Sequence, residues 1–289
     1  VDGVLLLDKP SGITSNAALQ TARRLFCARK AGHTGTLDPL ASGLLPLAFG
    51  EATKFTQMLL DADKVYEAGV RLGIQTDTGD SEGTVLEVRP VAVDEAALRD
   101  VLARFMGEIE QIPPMYSALK RNGKPLYEYA RAGIEIERAP RRVTISELTL
   151  LAFENGYFSL RVACSKGAYI RSLCMDIGEA LDCGAHLGAL RRTRVGDFDL
   201  SDSVTLEAIE KTALAQRDAL LAPADTLAAN FLKLTLDAEC AHRILQGQPL
   251  PIQSSSPGNC VRLYGPDGFL GLGQFKEDGQ LWPKRLVAA

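Results

Sequence analysis

The sequence predicts an α+β protein of two domains, a main one over residues 1–228 and a small β-rich one over residues 231–289. Segments with strand periodicity and segments with helix periodicity are interspersed through the first 200 residues. Composition then shifts near Pro223, and beyond a linker around residues 228–230 a single short helix stands among strands. A chain of 289 residues also suits two domains of roughly 100–200 residues each.

The opening VDGVLLLDKP reads as a short buried strand closed by Pro10 and Gly12. Asp2 before the apolar run and Asp8-Lys9-Pro10 after it flank it wrongly for a signal peptide. Thr14 or Ser15 caps a helix whose apolar residues Ala18, Leu19, Ala22, Leu25 and Phe26 share one face. Arg23 and Arg24 sit near its C-terminal end, where cations suit the helix dipole. The segment AGHTGTLDPLASGLLPLAFGEATK is too glycine-punctuated for a helix and too apolar for a solvated loop.

Residues 66–73 alternate Tyr66, Ala68, Val70 and Leu72 on one face, a strand pattern. The turn-rich QTDTGDSEG leads to the strand TVLEV, so the two strands are read as a hairpin with a long tip. Asp94 caps a helix to about Phe105 with Leu98, Val101, Leu102 and Phe105 on its apolar side. Residues 115–142 have weak periodicity and read as a long loop with one helical turn. Phe158, Leu160, Val162 and Cys164 face inward along a strand that breaks at Ser165-Lys166-Gly167 and passes into a helix. That helix turns Ile170, Leu173, Cys174, Ile177 and Leu181 to the core, which puts Arg171 about 100° away on its flank. In the last domain a helix over residues 238–245 stops at Gly247, and GPDG and EDG turns separate the strands.

Hydrophobic residues make up 46% and charged residues 24% of the chain, which excludes a mainly disordered, collagen-like or disulfide-scaffold protein. No stretch approaches about 18 apolar residues without a charge, so no membrane span is expected. Six cysteines without a CxxC pair fit reduced thiols and a cytoplasmic location. Cys183 and His186 are spaced like two zinc ligands, but no second pair accompanies them and zinc needs three or four, so no metal is expected.

The net charge of −4 is not that of a typical nucleic-acid binder. Its distribution is more informative. Residues 115–142 carry Lys120, Arg121, Lys124, Arg131, Arg138, Arg141 and Arg142 against Glu128, Glu135 and Glu137, while residues 199–239 hold eight acids and three bases. The basic stretch is either a solvated face or a track for phosphates.

There is no P-loop, dinucleotide fingerprint, HExxH or GxSxG. The densest unusual segment is GHTGTLDPLASG, residues 32–43, whose glycines permit tight folding. Asp38 before Pro39 is either a catalytic carboxylate or an ordinary helix cap with proline at the first helical position. Tyr66 reads equally as a core side chain, and Arg171 as a surface arginine. Lys166-Gly167 is either a phosphate cradle at a helix start or a plain turn.

Together these segments carry a resemblance that none carries alone. The chain resembles the bacterial tRNA pseudouridine-55 synthases of the TruB type. The resemblance rests on GVLLLDKPSGITS, GHTGTLDPLASGLLPLAFGEATK, KVYEAGVRLGIQTDTGDSEG, PPMYSALKRNGKPLYEYARAG, CSKGAYIRSLCMDIGEAL and CGAHLGALRRTRVGDF, in order over residues 3–200. After about Asp199 it weakens, and the last domain is similar in position and size to a PUA-type RNA-binding domain.

The resemblance implies a mixed, mainly antiparallel sheet flanked by helices, and an isomerase that detaches the T-loop uridine of tRNA at N1 and rejoins it through C5. It implies Asp38 as the catalytic carboxylate, Arg171 as its ion-pair partner, and Tyr66 stacked on the flipped base. Tyr169 and Leu190 would line the pocket, and His33 would contact the T-loop. Lys120, Arg121, Lys124 and Lys166 are the candidates for the RNA backbone, with residues 115–142 as the gripping insert. No cofactor, metal, membrane or protein partner is implied, and a monomer is expected. A tRNA-binding or RNA-folding protein without catalysis is the alternative, against which the intact Asp38, Tyr66 and Arg171 stand. The long basic insert argues against the catalytic subunit of a guide-RNA particle.

Overall fold

A computed structural model describes residues 1–252 and 258–287. The chain opens with strand β1 (Gly3–Lys9) and helix α1 (Ser15–Leu25). Thr14 caps α1, its hydroxyl accepting the Ala17 N–H. Strands β2 (Ala31–His33) and β3 (Ser42–Phe49) follow. β3 is covered on both faces: Leu45, Leu47 and Phe49 join the core that holds Ala18, Leu19 and Ala22 of α1, while Leu44 and Ala48 belong to a second core. A central strand of this kind is apolar throughout instead of alternating, which explains the run LLPLAF.

Beyond a 3-10 turn (Gly50–Phe55) and the short helix α2 (Thr56–Leu60), β4 (Lys64–Leu72) crosses the middle of the sheet. β5 (Ile74–Thr76) and β6 (Val85–Val88) make a separate two-stranded hairpin. TVLEV therefore pairs with residues beyond Gly73, not with residues 66–73 as the sequence suggested. Gly73, at φ +84°, turns the chain out of the main sheet, and both edges of β4 are taken by other strands.

Helix α3 (Glu95–Ala103), capped by Asp94, leads to β7 (Gly107–Gln111). The basic segment carries a small hairpin, β8 (Lys120–Arg121) with β9 (Lys124–Pro125), and the short helix α4 (Leu126–Arg131). Then come β10 (Arg141–Glu154), β11 (Tyr157–Cys164), α5 (Ile170–Ala180), β12 (Ala185–Val195), β13 (Phe198–Asp199), β14 (Val204–Thr205) and α6 (Leu206–Lys211). The C-terminal part has β15 (Leu232–Thr235), α7 (Ala238–Leu245), β16 (Cys260–Gly265), β17 (Gly268–Phe275) and β18 (Leu281–Leu286).

The main sheet has the order β14-β1-β3-β12-β4-β11-β10-β7, with β2 also on β3 and β13 on β12. Only β1–β14 and β3–β12 are parallel among its described pairings, so it is mixed and mainly antiparallel. α1 and α5 pack on one face. The C-terminal strands form a four-stranded sheet, β15-β16-β17-β18, around a core of their own that includes Ile244, Leu263 and Leu281.

The second core of the main sheet reaches across to that unit. Leu272 packs with Val4, Leu44 and Phe55, the Phe55 and Phe269 rings lie 5.4 Å apart, and Lys54 Nζ donates to Leu286 O at 2.9 Å. β3 and β12 pass at close quarters. Gly43 has φ +101°, and a Cβ there would stand 2.3 Å from Arg192 O. Gly43→Ala is expected to cost about 2–3 kcal/mol, read as a lower urea midpoint at unchanged m-value.

Candidate active site

Residues 34–41, joining β2 to β3, are irregular but pinned. The Leu37 N–H donates to Ser15 Oγ at 2.8 Å, and that hydroxyl donates to Leu37 O at 2.9 Å. Gly12 N–H donates to Pro39 O at 2.7 Å, and Thr34 N–H to Pro46 O at 3.1 Å. Leu37 is buried in the main core, so the next side chain, Asp38, is held outward from a fixed backbone. No helix follows Asp38. Ala41 N–H bonds Asp38 O in a single turn, and pairing of β3 with β12 begins at Ser42, which leaves no room for more. The helix-cap reading of Asp38-Pro39 is thereby excluded.

Arg171, in the first turn of α5, faces Asp38 and is not a surface arginine. Its side chain is 4% exposed, and Nε lies 3.0 Å from Asp38 Oδ2 and 3.7 Å from Asp80 Oδ2. Nη1 donates to Thr78 O at 2.9 Å and Nη2 to Tyr116 O at 2.7 Å. The flank position read from the helix period is correct, but the tip of the β5–β6 hairpin and the start of the basic segment cover that flank. Asp80 is held in turn by the Thr78 hydroxyl at 2.6 Å and the Glu82 N–H at 3.1 Å.

Asp38, 37% exposed at its side chain, opens on a cavity of about 370 Å³ whose walls include Tyr66, Tyr169, Arg171 and Leu190. Tyr66 on β4 pairs in register with Arg192 on β12 and Val162 on β11, so the sheet fixes its position. His33 lies outside this cavity. It lines an adjoining groove of about 540 Å³ together with Asn16, Tyr127 and Arg131, and the two spaces meet at Thr36, Leu37, Asp38, Ser117, Ala118 and Arg171. Lys120, Arg121 and Lys124 are exposed on the β8–β9 hairpin, apart from both. Lys166 is exposed beside Gly167 on the cavity rim and pairs with Asp61 at 2.8 Å.

Three buried cations lie beyond what the sequence reading names. Arg192, 1% exposed, donates to Leu44 O at 2.7 Å and Gly35 O at 3.3 Å and so ties the Asp38 loop to the sheet. Lys64 donates to Leu60 O at 2.8 Å and to the carbonyls of Leu59 and Ala62 around the end of α2. Lys9 donates to Pro10 O at 2.8 Å and Ile13 O at 2.7 Å. Alternation along HLGALRRTRV holds a signal for one of them, since Leu190 inward puts Arg192 on the same face.

Burial governs the electrostatics. It lowers Lys9 and Lys64 to about 8, the Arg192 charge adding to the effect on Lys64. It lowers His33, again with help from Arg192, so that imidazole is neutral near pH 7. Tyr66 and Tyr169 are raised by desolvation and stay as phenols. Asp38 is pushed above its ordinary 3.8 by desolvation, against which the Arg171 guanidinium pulls it down. Among the described residues no group of three or more His, Cys, Asp or Glu could hold a metal. No helix among them is long and apolar enough to cross a membrane.

A carboxylate paired with a buried arginine lines this cavity on the mixed sheet, and similarity to known proteins is specific about the class. A solved Cbf5–Nop10–Gar1 complex matches at TM-score 0.73 and 28% identity over 99% of this chain and 83% of that one. An H/ACA ribonucleoprotein bound to a substrate RNA matches at TM-score 0.75 and 25% identity, over 99% and 85%. The fold and site thus define a pseudouridylate synthase. The model of the TruB family pseudouridylate synthase N-terminal domain matches residues 23–170, and two TruB C-terminal models match residues 171–229 and 233–287. The tRNA pseudouridine synthase B of Azoarcus sp. (strain BH72) is 65% identical over all of this chain and 95% of its own length. That of Aromatoleum aromaticum is 60% identical over all of this chain and 93% of its own. The chain belongs to the TruB family.

The balance at Asp38 is measurable. Followed by ¹³C NMR of its carboxyl carbon, Asp38 should titrate with a midpoint above 3.8, and Arg171→Met, which removes the main lowering influence, should move the midpoint further up.

Proposed function

We propose that this chain converts the T-loop uridine of tRNA, position 55, to pseudouridine. The observation that carries the reading is the Asp38–Arg171 pair, 3.0 Å apart, on the wall of a cavity of about 370 Å³ that Tyr66, Tyr169 and Leu190 also line. End-to-end similarity to proteins named tRNA pseudouridine synthase B supports the choice of tRNA.

A uridine within a folded loop is out of reach until it leaves the stack, so the enzyme must accept an extruded nucleotide. Tyr66 and Leu190 hold the base in the inner cavity, with Tyr169 on its wall. His33, in the outer groove, takes the side of the loop that the base has left. A neutral imidazole suits that place, because it fills space without needing a counter-ion. The reaction breaks the N1–C1′ bond, turns the base, and forms a C5–C1′ bond. The proton on C5 is released and N1 ends protonated, so substrate and product have the same atoms and no oxidant or reductant enters. Asp38 is the catalytic carboxylate, and its negative charge lies where positive charge develops on the ribose as the glycosidic bond opens. Arg171 is a positioning residue that holds Asp38 ionised and oriented.

A glycosidase would need a second carboxylate free to activate water. The nearest one, Asp80, is committed to Thr78, Glu82 and Arg171. That favours isomerisation over hydrolysis. The exposed Lys120, Arg121 and Lys124 grip the RNA backbone, with Lys166 at the rim. Residues 1–228 are the catalytic domain, and residues 231–289 a PUA-like domain that extends the RNA contact. The reading requires tRNA alone as partner, with the chain acting as a cytoplasmic monomer.

The direct test is tritium release from a T-arm stem-loop labelled at uracil C5. Wild type should release it, and Asp38→Asn should not while still binding the RNA. Binding without release by the wild type would replace the reading with a tRNA-binding or RNA-folding role. In the same assay, release should fall as pH drops through a value above 3.8, because only the ionised Asp38 acts. Replacing Lys120, Arg121 and Lys124 by Ala should flatten the plot of log Kd against log salt by about 0.7–0.9 for each phosphate no longer neutralised.

A further inference from the structure

We propose that Ser117 reads the ribose of the target nucleotide, its hydroxyl pairing with the 2′-OH and so favouring RNA over DNA at the flipped position. The inference rests on the reading of the site as a pseudouridine synthase centre. Ser117 is 5% exposed, and its Oγ has no hydrogen-bond partner. The backbone groups beside it are committed. Ser117 N–H donates to Met115 O at 2.9 Å, Ser117 O accepts Tyr127 N–H at 3.1 Å, and the neighbouring Tyr116 O holds Arg171 Nη2 at 2.7 Å. The Tyr169 phenol lies near enough to be influenced by the Ser117 hydroxyl, yet the two oxygens are not in hydrogen-bond geometry. A buried hydroxyl without a partner is costly to keep, and a ligand that supplies the partner removes that cost.

Position identifies the ligand group. Ser117 is one of the residues at which the inner cavity and the outer groove meet. With the base inside and the strand in the groove, the sugar occupies that junction, beside Asp38. Thr36, the other hydroxyl there, is exposed to solvent. A phosphate would call for a cation, whereas a serine hydroxyl both donates and accepts, as a 2′-OH does.

The test uses the full chain in an Asp38→Asn background, so that binding is measured without turnover, on stem-loops with uridine or 2′-deoxyuridine at the target. Ser117→Ala should weaken binding of the uridine loop about three- to tenfold and leave binding of the deoxyuridine loop unchanged. The serine-containing protein should lose a similar factor when the sugar is changed. Because Ser117 Oγ makes no bond in the free protein, Ser117→Ala should melt at the same temperature or higher, which a structural serine would not do. A loss of equal size on both sugars would assign Ser117 to orienting Tyr169 and overturn the ribose contact, as would a lowered melting temperature. Failure of the Asp38→Asn protein to bind either loop would overturn the functional reading and this inference with it.

Discussion

A guanidinium withdrawn from water must be met by charge and by hydrogen-bond acceptors, and the site depends on how Arg171 meets that demand. Two carboxylates and two carbonyls surround it, drawn from three places in the chain: the Asp38 loop, the tip of the β5–β6 hairpin, and the start of the basic segment. None of these has a regular structure that would hold it there. Buried ion pairs of this kind add little net stability but make alternative arrangements expensive. The arginine therefore acts as a jig, fixing three irregular segments at one point.

The sheet supplies the rest of the rigidity. β3 is covered on both faces, and the loop before it is tied to the start of α1 through Ser15 and to β12 through Arg192. The carboxylate of Asp38 is thus carried on irregular backbone with the positional definition of a strand. Close contact between β3 and β12 at Gly43 brings the Arg192 backbone beside the strand and its guanidinium beneath the loop.

Much of this is legible in the sequence, for reasons that differ by element. α1, α3, β11 and α5 each have one buried face, and one-sided burial writes a period that can be read. β3 has two, so its period vanishes, and it can be recognised only as too apolar for a loop. The partner of TVLEV is not legible locally, because pairing depends on which strands occupy the edges of β4, a property of the whole sheet. Asp38-Pro39 resembles a helix start locally, and only the early onset of β3 rules that out. The helix period places Arg171 on the correct flank, but it says nothing of what covers a flank. Lys9, Lys64 and Arg192 escape notice because lysine and arginine are read as surface residues, although each is satisfied by carbonyls within the fold. Tyr66, Tyr169 and Leu190 follow from the family resemblance, and they share one cavity with Asp38 and Arg171. His33 occupies the adjoining groove.

The seam between the main sheet and the C-terminal strands carries a consequence for inheritance. Phe269 and Leu272 close a core that also contains Val4, Leu44 and Phe55, directly beneath the strand that follows the Asp38 loop. An appendage on a flexible tether can be exchanged for another during evolution with little effect on its host. One that completes its host's interior cannot, because each replacement must present matching apolar shape to Phe55 and Leu44. Substitutions on the two sides of this seam are thus constrained to compensate one another, and the two parts are transmitted as a unit.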